Sequence, residues 1–248
     1  MKRARGFSLV ELMVGLVISL IVALVAYAVL KGSAQAARRV VDNESAWHGA
    51  KLALLSMGKN LQEAGYLIDL TAPGAVAPIA AAAQNATAYT APSGFPSLQI
   101  STITNTSGIP GVNTLSNSVW DIYISPTTAN PALRQTVTPG GTVTEYADGI
   151  VAMRFQFTCA SATAQYYTPA CPGGVSDAKS VQIAMLSRGI LPDPAGKVVA
   201  LPAYTFPDGS IYTVPSTGGQ GCVGGNCTLY RHQLFVTEVP LRNLYWGL

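Results

Sequence analysis

Few residues in this 248-residue chain have the type and spacing to do chemistry. Glu11 stands among Phe7, Leu9, Val10, Leu12 and Met13, where a carboxylate is costly. An acid costs about 2.5–3.5 kcal/mol at a bilayer centre and less near the interface, so such a residue needs a partner. Cys159, Cys171, Cys222 and Cys227 are the only cysteines, and four cysteines permit three pairings. Local bridges, Cys159 to Cys171 and Cys222 to Cys227, are the simplest. The rival is a four-thiolate metal site, but these spacings are not a pair of C-x2-C knuckles. His48, beside Trp47, reads as a solvated or interface residue, and His232, between Arg231 and Gln233, as a surface position on a strand. No third group at a recognisable spacing completes a hydrolytic triad with either. Asp177, Asp193 and Asp208 adjoin Ser, Pro or Gly and read as turn formers, with Asp208-Gly209 a tight turn. The glycine pairs at 173–174, 218–219 and 224–225 have no following lysine or helix signature for phosphate. The expectation is a non-enzyme without cofactor or metal.

The element that must position Glu11 is an apolar helix. Leu12 to Leu30 carries no charge. At ~1.5 Å per residue, a helix of that length matches a bilayer core. Lys2, Arg3 and Arg5 precede it without an acid, which predicts a single pass with the N-terminus cytoplasmic and the remainder exported. No proline occurs before Pro73, so nothing forces the helix to stop at the membrane surface. Trp47, Ala50, Leu54, Met57, Leu61 and Ala64 recur every three or four residues, the apolar stripe of a second, amphipathic half. Gly65 suits the left-handed position after the last turn. A helix from Phe7 to Ala64 would be ~87 Å long.

The stretch GFSLVELM behind a short basic leader resembles the class III signal of type IV pilins and type II secretion pseudopilins. That resemblance implies cleavage after Gly6 by a prepilin peptidase, and N-methylation of the new N-terminus, Phe7, by the same enzyme. It also implies that Glu11 pairs with the N-terminal amine of a neighbouring subunit, which supplies the partner the carboxylate lacks. KNLQEAGY at 59–66 and YRHQLFVTEVPLRNL at 230–244 resemble the helix end and final strand of PilW-type minor pilins. Many major pilins have a mid-segment proline; here Ala28 lies near that place, so no kink is expected. The implied function is a minor pilin in type IV pilus assembly, in an initiating or tip complex. Its implied partners are the peptidase, other minor pilins, the major pilin and the inner-membrane assembly platform. It would be held in the inner membrane, head in the periplasm, before entering the pilus. A minor pseudopilin of a type II secretion system is the alternative; a membrane-tethered enzyme or sensor is another.

Composition agrees with export. Only 11% of residues are charged. Removing the three leader cations leaves twelve basic and twelve acidic residues, so no general electrostatic reason to bind nucleic acid remains. All four cysteines follow the apolar span, in the compartment where disulfides persist. Strands are predicted at Leu98–Thr102, Val119–Ser125, Ile150–Phe157, Val181–Arg188 and Leu229–Val239 from β-branched and aromatic content and a period of two. Long loops are predicted at 71–94, 104–117, 126–141 and 189–226. The expected fold is α+β: a long N-terminal helix, half transmembrane and half periplasmic, packed on an antiparallel β-sheet head. Its segments are a cleaved leader (1–6), a membrane span (7–30), a helical continuation (31–65) and the head (66–248).

Overall fold

The computed structural model describes residues 8–64, 79–81, 97–104, 114–138, 140–160, 171, 177–193 and 196–241. The fold class is α+β: among the described residues there are one long helix, α1 (Leu9–Glu63), and ten strands, every pairing antiparallel. The chain divides into two compact units, Met1–Asp42 and Asn43–Leu248. In the first, α1 is uninterrupted through the position of Ala28, as the absence of proline allows. Gly65, the expected helix stop, lies outside the described residues.

In the second unit, β1 (Ile79–Ala81), β2 (Ser97–Thr104), β3 (Thr114–Ile124), β4 (Pro131–Thr138) and β5 (Thr142–Asp148) form a sheet in sequence order. A second sheet has the order β10-β7-β6, from β6 (Ile150–Cys159), β7 (Ala178–Arg188) and β10 (His232–Pro240). A small hairpin joins β8 (Ala203–Thr205) to β9 (Ile211–Thr213). The five predicted strands correspond to β2, β3, β6, β7 and β10. Part of the 126–141 stretch read as loop is instead β4, whose proline is its first residue, the position where a missing N–H is tolerated. The Gly140-Gly141 pair, both at positive φ, turns it into β5.

One core cluster lies between α1 and the sheets. Ala50, Ala53, Met57, Leu61 and Ala64 are each at most 1% exposed, and cluster with Trp120, Ile122, Leu133, Met153, Phe155, Ile183 and Met185. Small residues allow the close approach: a methyl group on Gly49 would lie 3.4 Å from Ala147 Cβ. The predicted stripe is shifted by part of a turn. Trp47 is 37% exposed, with Lys51 Nζ 4.6 Å over its ring, and Ala53 takes the inward position. On β3, Trp120 and Ile122 point inward while Asp121 faces out to Arg134 through two bonds of 2.8 and 2.9 Å.

The second sheet is covered on both faces. Met153, Phe155 and Phe157 face the first cluster. Val151, Ala152, Ala184 and Leu186 join Phe206, Tyr212, Val214 and Cys227 in a second cluster, closed by the β8–β9 hairpin and the Cys222–Cys227 loop. Arg154, which alternates with the inward residues and by pattern should be wet, is therefore buried. Its Nε donates to Ser210 Oγ at 3.1 Å and its guanidinium lies 5.3 Å from the Phe206 ring centre. Burial lowers its pKa. The two sheets meet at Gly149 (φ +81°), where a Cβ would stand 2.2 Å from the Arg188 carbonyl oxygen. Gly149 N–H donates to Pro131 O and its carbonyl accepts from Arg188 N–H, both at 2.6 Å. Only glycine fits this corner.

Candidate functional site

The candidate site is the first turn of α1 and the apolar surface that follows it. Gly6 and Phe7, the expected cleavage and methylation positions, lie outside the described residues. Ser8 is the N-cap residue. Its Oγ accepts from Val10 N–H and Glu11 Oε2 accepts from Ser8 N–H, both at 3.3 Å, while its carbonyl accepts from Leu12 N–H at 3.2 Å. Glu11 makes the return contact of a Ser-x-x-Glu capping box, while the Ser8 hydroxyl caps the N2 amide in place of N3. It serves donors that a helix start otherwise leaves unmet. Ser8 is a site residue that the reading of Glu11 alone passed over, although its spacing was legible. Within this turn the Glu11 carboxylate is aimed back at the helix N-terminus, where its negative charge complements the helix dipole.

From Leu9 to Leu30 the large apolar side chains are between 52% and 75% exposed, with nothing of their own unit covering them. Among the described residues, α1 is the one helix long and apolar enough to cross a membrane. Gly15 has open space around its Cα, and Ser19 Oγ donates to the Gly15 carbonyl at 2.8 Å. That back-bond removes the hydroxyl as an unmet polar group in an apolar setting. The two positions, four apart, leave a small-residue step of the kind along which membrane helices approach.

The cysteines are joined locally, Cys159 to Cys171 and Cys222 to Cys227, with Cα separations of 5.7 and 5.2 Å. Asp177 approaches the first bridge. With both sulfurs in a bridge, neither offers the thiolate that a metal would need. His48 is exposed, with Nε2 3.5 Å from Glu44 Oε1 and its ring edge-on to Trp47. His232 departs from the surface position its neighbours suggested. It is partly buried under Tyr204, with ring centres 5.7 Å apart, and its Nδ1 lies 3.0 Å from the Tyr230 carbonyl. Burial pushes its pKa down to about 4, so it is neutral near pH 7, with Nδ1–H as the donor. Asp208-Gly209 forms the expected tight turn: Asp208 Oδ1 accepts from Ser210 N–H and Oγ, and Gly209 N–H donates to Phe206 O. The geometry does not bring the histidines or these aspartates together at a reactive centre.

Residues 1–27 match the family model of the prokaryotic N-terminal methylation motif. That match contains the basic leader, Gly6, Phe7, the capped turn with Glu11 and most of the apolar run. Among solved structures, the fold is similar to a type IV-like pilin from Thermus thermophilus. That similarity has a TM-score of 0.46 at 14% identity, over 79% of this chain and 96% of the other. No curated protein has a matching sequence.

Proposed function

We propose that this chain is a minor type IV pilin, a structural subunit rather than an enzyme, held in the inner membrane by α1 before it enters a pilus. The observation that carries this reading is the methylation motif over residues 1–27, which takes in most of the uncovered, uncharged stretch from Leu12 to Leu30. A prepilin peptidase would cut after Gly6 and methylate Phe7. α1 would then pack against the helices of other pilins, with Glu11 meeting a neighbour's N-terminal amine. The PilW-type subgroup is favoured by KNLQEAGY and by the Leu-Arg-Asn run at 241–243. A place in an initiating or tip complex is favoured by the size of the second unit. A principal subunit must repeat its contacts on every side along a fibre, whereas extra bulk is accommodated more readily at an end.

Two measurements test the proposal. Intact-mass analysis should give a mature chain beginning at methylated Phe7, and Gly6→Glu should leave the leader attached. A mature form that retains Met1–Gly6, or begins beyond Leu30, refutes processing. Deletion should sharply lower surface pili while the membrane pool of main pilin stays near normal. Quantitative mass spectrometry of sheared fibres should find this chain as a rare component, and finding it as the predominant subunit refutes the minor role.

A further inference from the structure

The two disulfides sit in opposite electrostatic surroundings. Cys159, Cys171 and the Asp177 carboxylate have their sulfur and oxygen atoms within 4.8 Å of one another, and the Phe157 carbonyl oxygen lies 3.9 Å from Cys159 Sγ. Both neighbours are electron-rich and oppose a thiolate. At the second bridge the neighbour is a cation. Arg188, 1% exposed, places Nη1 2.6 Å from Cys222 Sγ and 3.9 Å from Cys227 Sγ. The guanidinium is fixed by Asn130 Oδ1 (2.9 Å), Gly221 O (3.0 Å) and Gln220 O (3.4 Å), and lies over the Tyr230 ring at 4.5 Å. A fixed, buried cation against sulfur is the setting that lowers a thiol's pKa. Titratable groups near it include Tyr230, whose ring it covers, Asp148, whose carboxylate interacts with the same guanidinium, and His232, neutral near pH 7.

We propose that Cys222–Cys227 is a thiol–disulfide exchange site, poised by Arg188 to accept two electrons from an external dithiol. Access selects the sulfur attacked. Cys227 is 4% exposed, and the Gly219 backbone lies so close that a Cβ there would stand 2.3 Å from its Sγ, whereas Cys222 is only partly buried. One thiolate of the dithiol attacks Cys222 Sγ. A new S–S bond forms, the Cys222–Cys227 bond breaks, and its electron pair leaves on Cys227 Sγ beside Arg188. The second thiolate of the dithiol then attacks its partner sulfur in the mixed disulfide, closing the oxidised reagent and expelling Cys222 as a thiolate against Nη1. The dithiol loses two electrons to the bridge and two protons to solvent, and the bridge becomes two thiolates beside the guanidinium. Lower leaving-group pKa speeds such exchange, and stabilising the reduced form makes a disulfide more oxidising.

The test uses the full chain in detergent, equilibrated in buffers of reduced and oxidised dithiothreitol, acid-quenched and alkylated, with each bridge quantified by peptide mass spectrometry. Cys222–Cys227 should open at a reduced-to-oxidised ratio at least tenfold lower than Cys159–Cys171, about 30 mV for a two-electron couple. In the reduced chain, the rate of Cys222 alkylation should reach half its maximum below pH 7.5. Asp177→Asn should narrow the gap by easing reduction of the first bridge alone. Arg188→Gln should remove the advantage of the second, and if that variant does not fold, the wild-type comparison decides. Equal ratios, an inverted order, or half-maximal alkylation near the ordinary thiol pKa of about 8.5 overturns the proposal.

Discussion

His232→Gln tests whether the partial burial of one imidazole sets the acid sensitivity of the second unit. The folded chain holds His232 neutral down to about pH 4, because Tyr204 and the surrounding strands exclude water and Arg188 adds a like charge. The unfolded chain protonates it near pH 6.5. A histidine whose folded pKa is depressed contributes stability that is complete above the unfolded value and lost as pH falls toward the folded one. Between those two values the unfolded state binds one more proton, so linkage removes about 2 kcal/mol by pH 5 and about 3 kcal/mol by pH 4. The assay is denaturant unfolding of the detergent-solubilised chain at pH 7.5, 6 and 5. Trp120, buried against Tyr146 with ring centres 4.7 Å apart, serves as the fluorescence reporter. Carboxylates titrate in the same range and contribute equally to both proteins, so the quantity that matters is the difference between wild type and variant. His232→Gln should be less stable at pH 7.5, and the gap should shrink by about 2 kcal/mol at pH 5. Curves that stay parallel from pH 7.5 to 5 refute the assignment of a neutral, desolvated imidazole.

Three further outcomes are expected. Gly149→Ala should destabilise the chain by on the order of 3 kcal/mol, because it adds left-handed strain to a clash with the Arg188 carbonyl; a melting temperature within a degree of wild type would contradict the corner geometry. Met57→Ala removes a fully buried side chain and should cost about 2–4 kcal/mol, while Leu55→Ala, at 64% exposure, should stay within about 1 kcal/mol. Similar costs for the two would show that α1 presents a different face to the sheets. Glu11→Ala should insert into membranes as well as wild type, since it removes a charge, yet be depleted from sheared fibres; normal recovery would dismiss a pairing role for Glu11.

What was legible in the sequence follows how local each signal is. The apolar run, the basic leader and the break-free helix are contiguous patterns, and α1 follows from them directly. β3, β6 and β7 show their period of two or their β-branched content within a single stretch. The second covered face of β6 and β7 does not. Arg154 reads as a wet residue because nothing near it in sequence announces the Phe206–Ser210 turn that covers it. His232 reads as exposed for the same reason: Arg231 and Gln233 flank it, but Tyr204 lies far back in the chain. β4 was hidden by Pro131 at its start and the Pro-Gly-Gly run at its end, which punctuate like a loop yet bound a strand. At the candidate site, Glu11 stood out by its setting, and Ser8 required only attention to the capping spacing. Arg188 carries no sequence signature, since its place against Cys222 arises where β7 meets a loop more than thirty residues later.

The strand order has a consequence for how the chain is delivered. β1 to β5 are neighbours in sequence as well as in space, so that sheet can assemble progressively as the polypeptide emerges. The other sheet cannot. β7 lies between β6 and β10, pairing with β10 from His232↔Arg188 to Pro240↔Ser180. One edge of β7 therefore waits until residues 232–240 have emerged. Until then β7, rich in Val, Ile, Met and Leu, presents unpaired backbone groups and apolar side chains to any other emerging chain. Emergence rate and local chaperone supply would therefore limit the yield of correctly folded chain, and loss of β10 would produce aggregation rather than a smaller folded protein.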